Sequence, residues 1–368
     1  MSLHKQIAKI VQTQSFRIYK TGFGYSLQLP PLDPSKGKNL SARLREEISN
    51  VRQTKFYSSA DKTEIYLIQV PLEESLKVLE KHFPSKTAVA NGLFQVLQKR
   101  PEDKFTGERL AKIMSECGVY LFRKQRISES EKCFLTACIF GQEESQPHIH
   151  LGTIYQLKDF FDVEKSEFHL LRFLQISPNF PLVYFKLGEL YLKHSRASHA
   201  IEPLKKYIDL KPKDPKGHLL FGMAKLKIGA TKHAKKHLQH VLKLDENFKF
   251  AYLPLAKCYF ELAMSEKALG TLRTFLQKER YEPCAYELMA KIYLEQGQLR
   301  RAKKQFKRCL KFDPSNLQAY KKLIELYEEL GEEEKAKRMT KKLEDWKKLI
   351  EEKNIFTSHT CLYKRVLL

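Results

Sequence analysis

Residues 187–204, LGELYLKHSRASHAIEPL, decide the fold. The stretch begins with an apolar residue and Gly188, places Tyr191 three residues later, sets Ala200 as a second small residue, and ends on Leu204. Residues 221–238 (FGMAKLKIGATKHAKKHL), 255–272 (LAKCYFELAMSEKALGTL) and 289–306 (MAKIYLEQGQLRRAKKQF) repeat this layout at intervals of 34 residues. One small-residue column runs Gly118, Gly152, Gly188, Gly222, Ala256, Ala290, with Ile324 in its last place. A second runs Ser130, Ser166, Ala200, Ala234, Ala268, Ala302, Ala336. Four residues beyond the second column stand Phe134, Leu170, Leu204, Leu238, Leu272 and Phe306, and the seventh copy departs with Thr340. The second interval of the first column and the first interval of the second column are two residues longer, which places the extra pair in the segment 158–164.

A period of this length is the signature of a stacked array of helical hairpins. Small residues let two antiparallel helices cross closely, and aromatic residues fill the space between successive pairs. Pro178, Pro212 and Pro314 cannot lie inside a helix and so mark where second helices end. One hairpin cannot bury its apolar face alone, so neighbours must stack. The pattern resembles the tetratricopeptide repeat family over residues 111–345, in six to seven copies. The resemblance implies a mainly α chain, an α-solenoid wound as a right-handed superhelix. No copy carries the family's early Trp, Lys225 stands where a Tyr is usual, and Glu246 and Arg280 occupy the proline column.

Outside the array the chain reads differently. Residues 1–100 lack the period and suggest a small α+β domain of three strands with flanking helices: a hairpin of 16–19 and 25–29, a proline-rich loop at 30–37, a charged helix over 40–51 and a strand over 65–70. Residues 101–345 form the hairpins, 332–353 a last helix capping the stack through Trp346, Leu349 and Ile350, and 354–368 a tail. In residues 3–11 the apolar run is broken by charge and no cleavage pattern follows, which argues against a secretory signal. Leu3, Ile7, Ile10 and Val11 opposite Lys5 and Lys9 suit an ordinary first helix, the favoured reading, or an organellar presequence.

Composition narrows the function. The 368 residues are 42% apolar and carry 66 Lys and Arg against 43 Asp and Glu, a net charge of +23. Such a field favours acidic partners and says nothing about fold. No stretch reaches the roughly 18 uncharged apolar residues of a membrane helix. The seven cysteines are odd in number and form no C-x-x-C pair, which suits reduced thiols in a cytoplasmic protein.

Candidate chemistry is sparse. The segment 35–39 (SKGKN) lacks the residues of a phosphate loop. His233, His237 and His240 share a helical face, but Lys232, Lys235, Lys236 and Lys243 surround them and repel a cation. His148 and His150 show no ligand pattern. No nucleophile is accompanied by a base and an orienting acid. The expectation is a non-catalytic interaction scaffold with no cofactor and no metal.

By the family resemblance, the first helices line a concave groove. Residue by residue this points to Phe185 and Glu189 in the third repeat, and Lys216, Leu219 and Met223 in the fourth. It points to Phe250, Leu253, Lys257 and Phe260 in the fifth, and Glu287 and Lys291 in the sixth. Lys321, followed by Glu325 rather than Asn, breaks the carboxylate clamp by which some family members hold acidic chain ends. An apolar groove flanked by lysines suits an amphipathic or extended protein segment of acidic-apolar character. The other reading is nucleic-acid binding on the outer face, where Arg300, Arg301, Lys303, Lys304, Lys307, Arg308 and Lys311 cluster.

Overall fold

The computed structural model describes residues 73–99, 104–141 and 143–353 in full. It also gives the short segments 17–20, 24–29, 39–40, 43–44, 53–58 and 63–68. The expectations for residues 3–11, 30–37 and 354–368 lie outside the described residues. Near the amino terminus four strands pair antiparallel: β1 (Arg17–Lys20), β2 (Gly24–Leu29), β3 (Gln53–Ser58) and β4 (Thr63–Ile68). Their order is β1-β2-β4-β3, with Tyr19 opposite Ser26 and Phe56 opposite Ile65. The strand at 53–58 is the one the sequence reading left out; its QTKFYS alternation is short and interrupted by Lys55.

From residue 73 on the described residues form helices, and the chain divides into two compact units after Val183. In the first unit, helices Glu73–His82 and Pro84–Lys99 lead into a first hairpin of Lys104–Arg123 with Ile127–Phe140 and a second of Gln146–Ile154 with Val163–Ile176. Val78, Leu79, Phe94 and Leu97 share one buried cluster with Leu110, Met114 and Phe134. The leading helices are therefore part of the same core as the first repeats. Thr136 Oγ1 donates to Ser75 Oγ (2.7 Å), which donates to the Lys132 carbonyl (3.1 Å), tying the two segments together.

The hairpins that follow are Pro181–Lys193 with Ala197–Leu210, Pro215–Lys227 with Thr231–Leu244, and Tyr252–Glu261 with Ser265–Lys278. Pro283–Glu295 with Leu299–Phe312 and Leu317–Glu329 with Glu333–Lys353 complete the array. Pro178, Pro212 and Pro314 each stand two residues past a second helix. The extra pair of residues in the second repeat becomes a short 3₁₀ turn, Lys158–Phe160, and Asp162 then caps the next helix by accepting from the Lys165 amide at 3.0 Å.

The two small-residue columns meet inside the first four hairpins. A Cβ placed on Gly118 would lie 2.8 Å from the Phe134 ring, and one on Gly152 2.7 Å from Leu170. The same holds for Gly188 against Leu204 (2.4 Å) and Gly222 against Leu238 (2.8 Å). This refines the expectation of touching backbones: the missing side chain makes room chiefly for the large residue four beyond the second column. In the first two repeats a hydroxyl completes the contact. Ser130 Oγ donates to the Gly118 carbonyl at 2.8 Å, and Ser166 Oγ to the Gly152 carbonyl at 2.7 Å. Later repeats replace these serines by buried alanines.

A third register was not read from the sequence. Seven residues after the first column the backbone turns left-handed at Gln125, Ser195, Gly229, Ala263, Gly297 and Gly331, with φ from 56° to 79°. The next amide then bonds back to the helix, as Met264 N–H does to Tyr259 (2.8 Å) and Gln298 N–H to Tyr293 (2.8 Å). This six-to-one bond around a left-handed residue is the Schellman stop, and it turns the chain sharply into the second helix. At the carboxyl end Ala336 and Leu343 are buried, and Trp346 is half-buried.

Candidate partner-binding site

The first helices of the fifth and sixth repeats enclose a cleft of about 300 Å³. Its lining includes Leu253, Pro254, Lys257 and Phe260 from one helix and Cys284, Glu287, Leu288 and Lys291 from the other. The spacing explains why these side chains share one face: positions three and four apart on a helix are neighbours. Pro254 fits inside the first turn of the helix Tyr252–Glu261, where its missing N–H has no carbonyl to reach. Leu253 and Pro254 are buried and form the floor, while Phe260 and Leu288 are half-buried walls.

The rim carries both signs of charge. Lys257 is about half exposed, and its ammonium lies 3.9 Å from Glu261 on the next turn. Lys291 holds Glu287 one turn before it. Glu287 also accepts from Asn316 Nδ2 at 2.9 Å. Asn316 is buried, and its side-chain oxygen accepts from the Ala319 amide at 2.9 Å, capping the first helix of the seventh repeat. Glu287 thus links the cleft to the next hairpin, which leaves Lys257 as the less committed of the two cleft lysines.

Five of the residues singled out from the sequence (Leu253, Lys257, Phe260, Glu287 and Lys291) lie on this one cleft. The others are placed elsewhere. Leu219 and Met223 are 2% and 1% exposed, so the expectation that they face a partner is corrected. Every residue from Gly217 to Ala224 is buried, because this helix packs against the second helix of the third repeat, its own partner helix and the first helix of the fifth. Phe250 sits in the 3₁₀ turn Lys249–Ala251, ahead of the helix it was assigned to, with its ring 5.8 Å from Phe248. Phe185 is half-buried with its ring 5.1 Å from Tyr207, and Lys216 is exposed beside the capping Asp214. Glu189 is half-buried, and burial raises its carboxyl above the ordinary range against the pull of Lys186, Lys193 and Lys216.

The three-histidine face on the fourth repeat divides. His233 is exposed, whereas His237 and His240 lie against His218 of the first helix, which the sequence reading missed. His218 Nε2 is 3.0 Å from the Pro212 carbonyl, which can only accept, so that nitrogen carries the proton. His218 Nδ1 is then the acceptor for His237 Nδ1–H at 3.1 Å. The basic helix Leu299–Phe312 places most of its cations over the protein's own rings: Arg301 over Tyr293, Lys303 and Lys307 over Tyr327, Arg308 over Tyr286.

The tetratricopeptide repeat family model matches residues 293–348. No curated protein matches the chain. Among solved structures, a crystal structure of MamA is 20% identical, with a TM-score of 0.41, covering 48% of this chain and 96% of that one. YrrB, described as a tetratricopeptide repeat protein with an unusual peptide-binding site, is 17% identical, with a TM-score of 0.43, covering 50% and 95%. PilF of Pseudomonas aeruginosa is 14% identical, with a TM-score of 0.47, covering 61% and 99%. No described helix is long and apolar enough to cross a membrane. The family match runs from the end of the first helix of the sixth repeat into the last helix, and the earlier hairpins share the 34-residue period of that region.

Proposed function

We propose that the chain is a non-catalytic scaffold that captures a segment of a partner protein in the cleft between the fifth and sixth repeats. The observation that carries this reading is the cleft itself: an apolar floor of Leu253 and Pro254 between walls of Phe260 and Leu288, open to solvent, under a rim that holds Lys257. Its volume suits one or two large apolar side chains, and a site of this kind draws its affinity from a few such anchors. Lys257 and the net charge of +23 favour acid beside the anchors in the bound segment. The segment is accordingly amphipathic or extended, apolar with acidic neighbours, and YrrB offers a precedent for peptide capture on this fold. The cytoplasm is the proposed location, on the strength of the unpaired thiols.

The nucleic-acid reading of the basic helix is weaker. Single-strand readers need aromatic faces free for stacking. Here Tyr286, Tyr293 and Tyr327 are buried and covered by lysine and arginine.

Selection of a displayed random-peptide library on the purified full chain tests the proposal. Enriched peptides should share apolar anchors flanked by Asp or Glu. Their affinity should fall about 10-fold or more in Phe260→Ala with Lys257→Glu, at unchanged helix content. Enrichment of peptides that bind this variant as well as the wild type would remove the cleft from the account.

A further inference from the structure

Cys138, His148 and His169 come from three different helices of the first two repeats, and one donor atom from each lies within 4.8 Å of the others. All three are buried, at 6%, 2% and 2% exposure. His148 Nδ1 and His169 Nδ1 are 2.8 Å apart. His169 Nε2 is buried with no hydrogen-bond partner, so the polar contacts of this imidazole run through Nδ1 alone. The Tyr155 ring stacks on His169 at 5.8 Å and the Phe168 ring meets it edge-on at 5.1 Å. These donors therefore face one another inside an aromatic shell.

We propose that Cys138, His148 and His169 bind a monovalent copper ion. One thiolate and two imidazoles are a soft donor set, and no carboxylate joins the cluster. Structural zinc takes four ligands, whereas three donors are present here. Charge points the same way. Cu(I) with one thiolate is neutral, while Zn(II) with one thiolate leaves a buried positive charge, which is costly to hold away from water. Arg172 and Lys165 already place positive charge near Cys138 and His169. The geometry needs little change. Metal–nitrogen bonds of about 2.0 Å set the two Nδ1 atoms of a trigonal centre about 3.5 Å apart, so the imidazole pair opens by less than about 1 Å, while the sulfur, now within 4.8 Å, closes by up to about 1 Å. On binding, the Cys138 thiol releases its proton to solvent and one Cu–S and two Cu–N bonds form. Each imidazole stays neutral, its proton on the ring nitrogen that does not bind.

The purified full chain, reduced and anaerobic, is titrated with Cu(I) in competition with bicinchoninate. One Cu(I) per chain should be withheld from the chelator. Cys138→Ser and His169→Gln should each weaken retention at least about 100-fold, and Cys309→Ser should leave it unchanged. X-ray absorption on the loaded wild type, which does not depend on how the variants fold, should show one sulfur and two nitrogen neighbours. Failure of the wild type to retain Cu(I), retention equal in Cys138→Ser, a sulfur-only shell, or tighter binding of Zn(II) than of Cu(I) would each overturn the proposal.

Discussion

Gly188 and Leu204 are fitted to each other: a Cβ on the glycine would stand 2.4 Å from Leu204 Cδ2 and 2.5 Å from its Cγ. The second of those atoms is not the free end of a side chain, and Leu204 is fully buried, so it cannot swing clear. Gly188→Val should therefore destabilise the protein by about 1–3 kcal/mol through overpacking, against a helix-propensity gain that is smaller. Paired with Leu204→Ala, part of that loss should be recovered, because the truncation frees the volume the valine needs. Denaturant midpoints for the two single variants and the double variant form the cycle that checks this, and strictly additive losses would deny the contact.

Ala263 holds φ at 56° in the turn of the fifth repeat, where the fourth, sixth and seventh repeats use Gly229, Gly297 and Gly331. A left-handed alanine costs roughly 1–2 kcal/mol relative to the relaxed backbone, and glycine gives back part of the gain as unfolded-state entropy. Ala263→Gly should raise stability by up to about 1 kcal/mol. A thermal melt with a lower midpoint would contradict the strain argument.

Asn316 joins two repeats at once, capping the helix Leu317–Glu329 and donating to Glu287 on the cleft. Asn316→Ala loses the cap and leaves Glu287 with one partner fewer, for a cost of about 1–2 kcal/mol. Hydrogen exchange should show the loss as faster opening in the first turn of the seventh repeat, with the first unit untouched. Uniform protection across both would show that the cap carries no local weight.

Acid should weaken the fold through its buried imidazoles. Burial, followed by the nearby histidines and Lys225, holds His237 down at about 4; burial with Lys165 holds His169 at about 3, and His148 is also held well below its ordinary value. The unfolded chain takes up these protons near pH 6.5. It therefore binds more protons than the folded one as pH falls, and stability drops from about pH 6.5 down to about 4 for His237 and on toward about 3 for His169. Above pH 7 these groups are neutral in both states and contribute no slope. Denaturation midpoints between pH 7.5 and about 4.5 should decline, and less steeply in His237→Gln. A flat profile would mean that the folded protein accepts these protons freely.

Much of this arrangement was legible in the sequence, and for a physical reason. Close helix crossings leave a fixed small residue and a fixed large one in the first six copies, so Gly152 with Leu170, or Gly222 with Leu238, could be paired before any coordinates. The turn stops were less visible, since only three of the six left-handed positions are glycine. Burial within the array was not legible either. Leu219 and Leu253 occupy matching places in their repeats, but only Leu253 lines an open cleft. What separates them is the packing around each helix, which no local pattern encodes. The histidine clusters were half visible for a related cause: His148, His237 and His240 stood out, but Cys138 and His169 are 31 residues apart, and only the hairpin geometry brings them together.

The central claim is that a partner segment lies between Lys257 and Leu288. A photo-crosslinking residue placed at Phe260, with a second placed at Lys304 on the basic helix, tests it on a selected peptide in solution. The account predicts a crosslink from position 260 that unlabelled peptide competes away, and none from position 304. Crosslinking from position 304 with position 260 silent would contradict it.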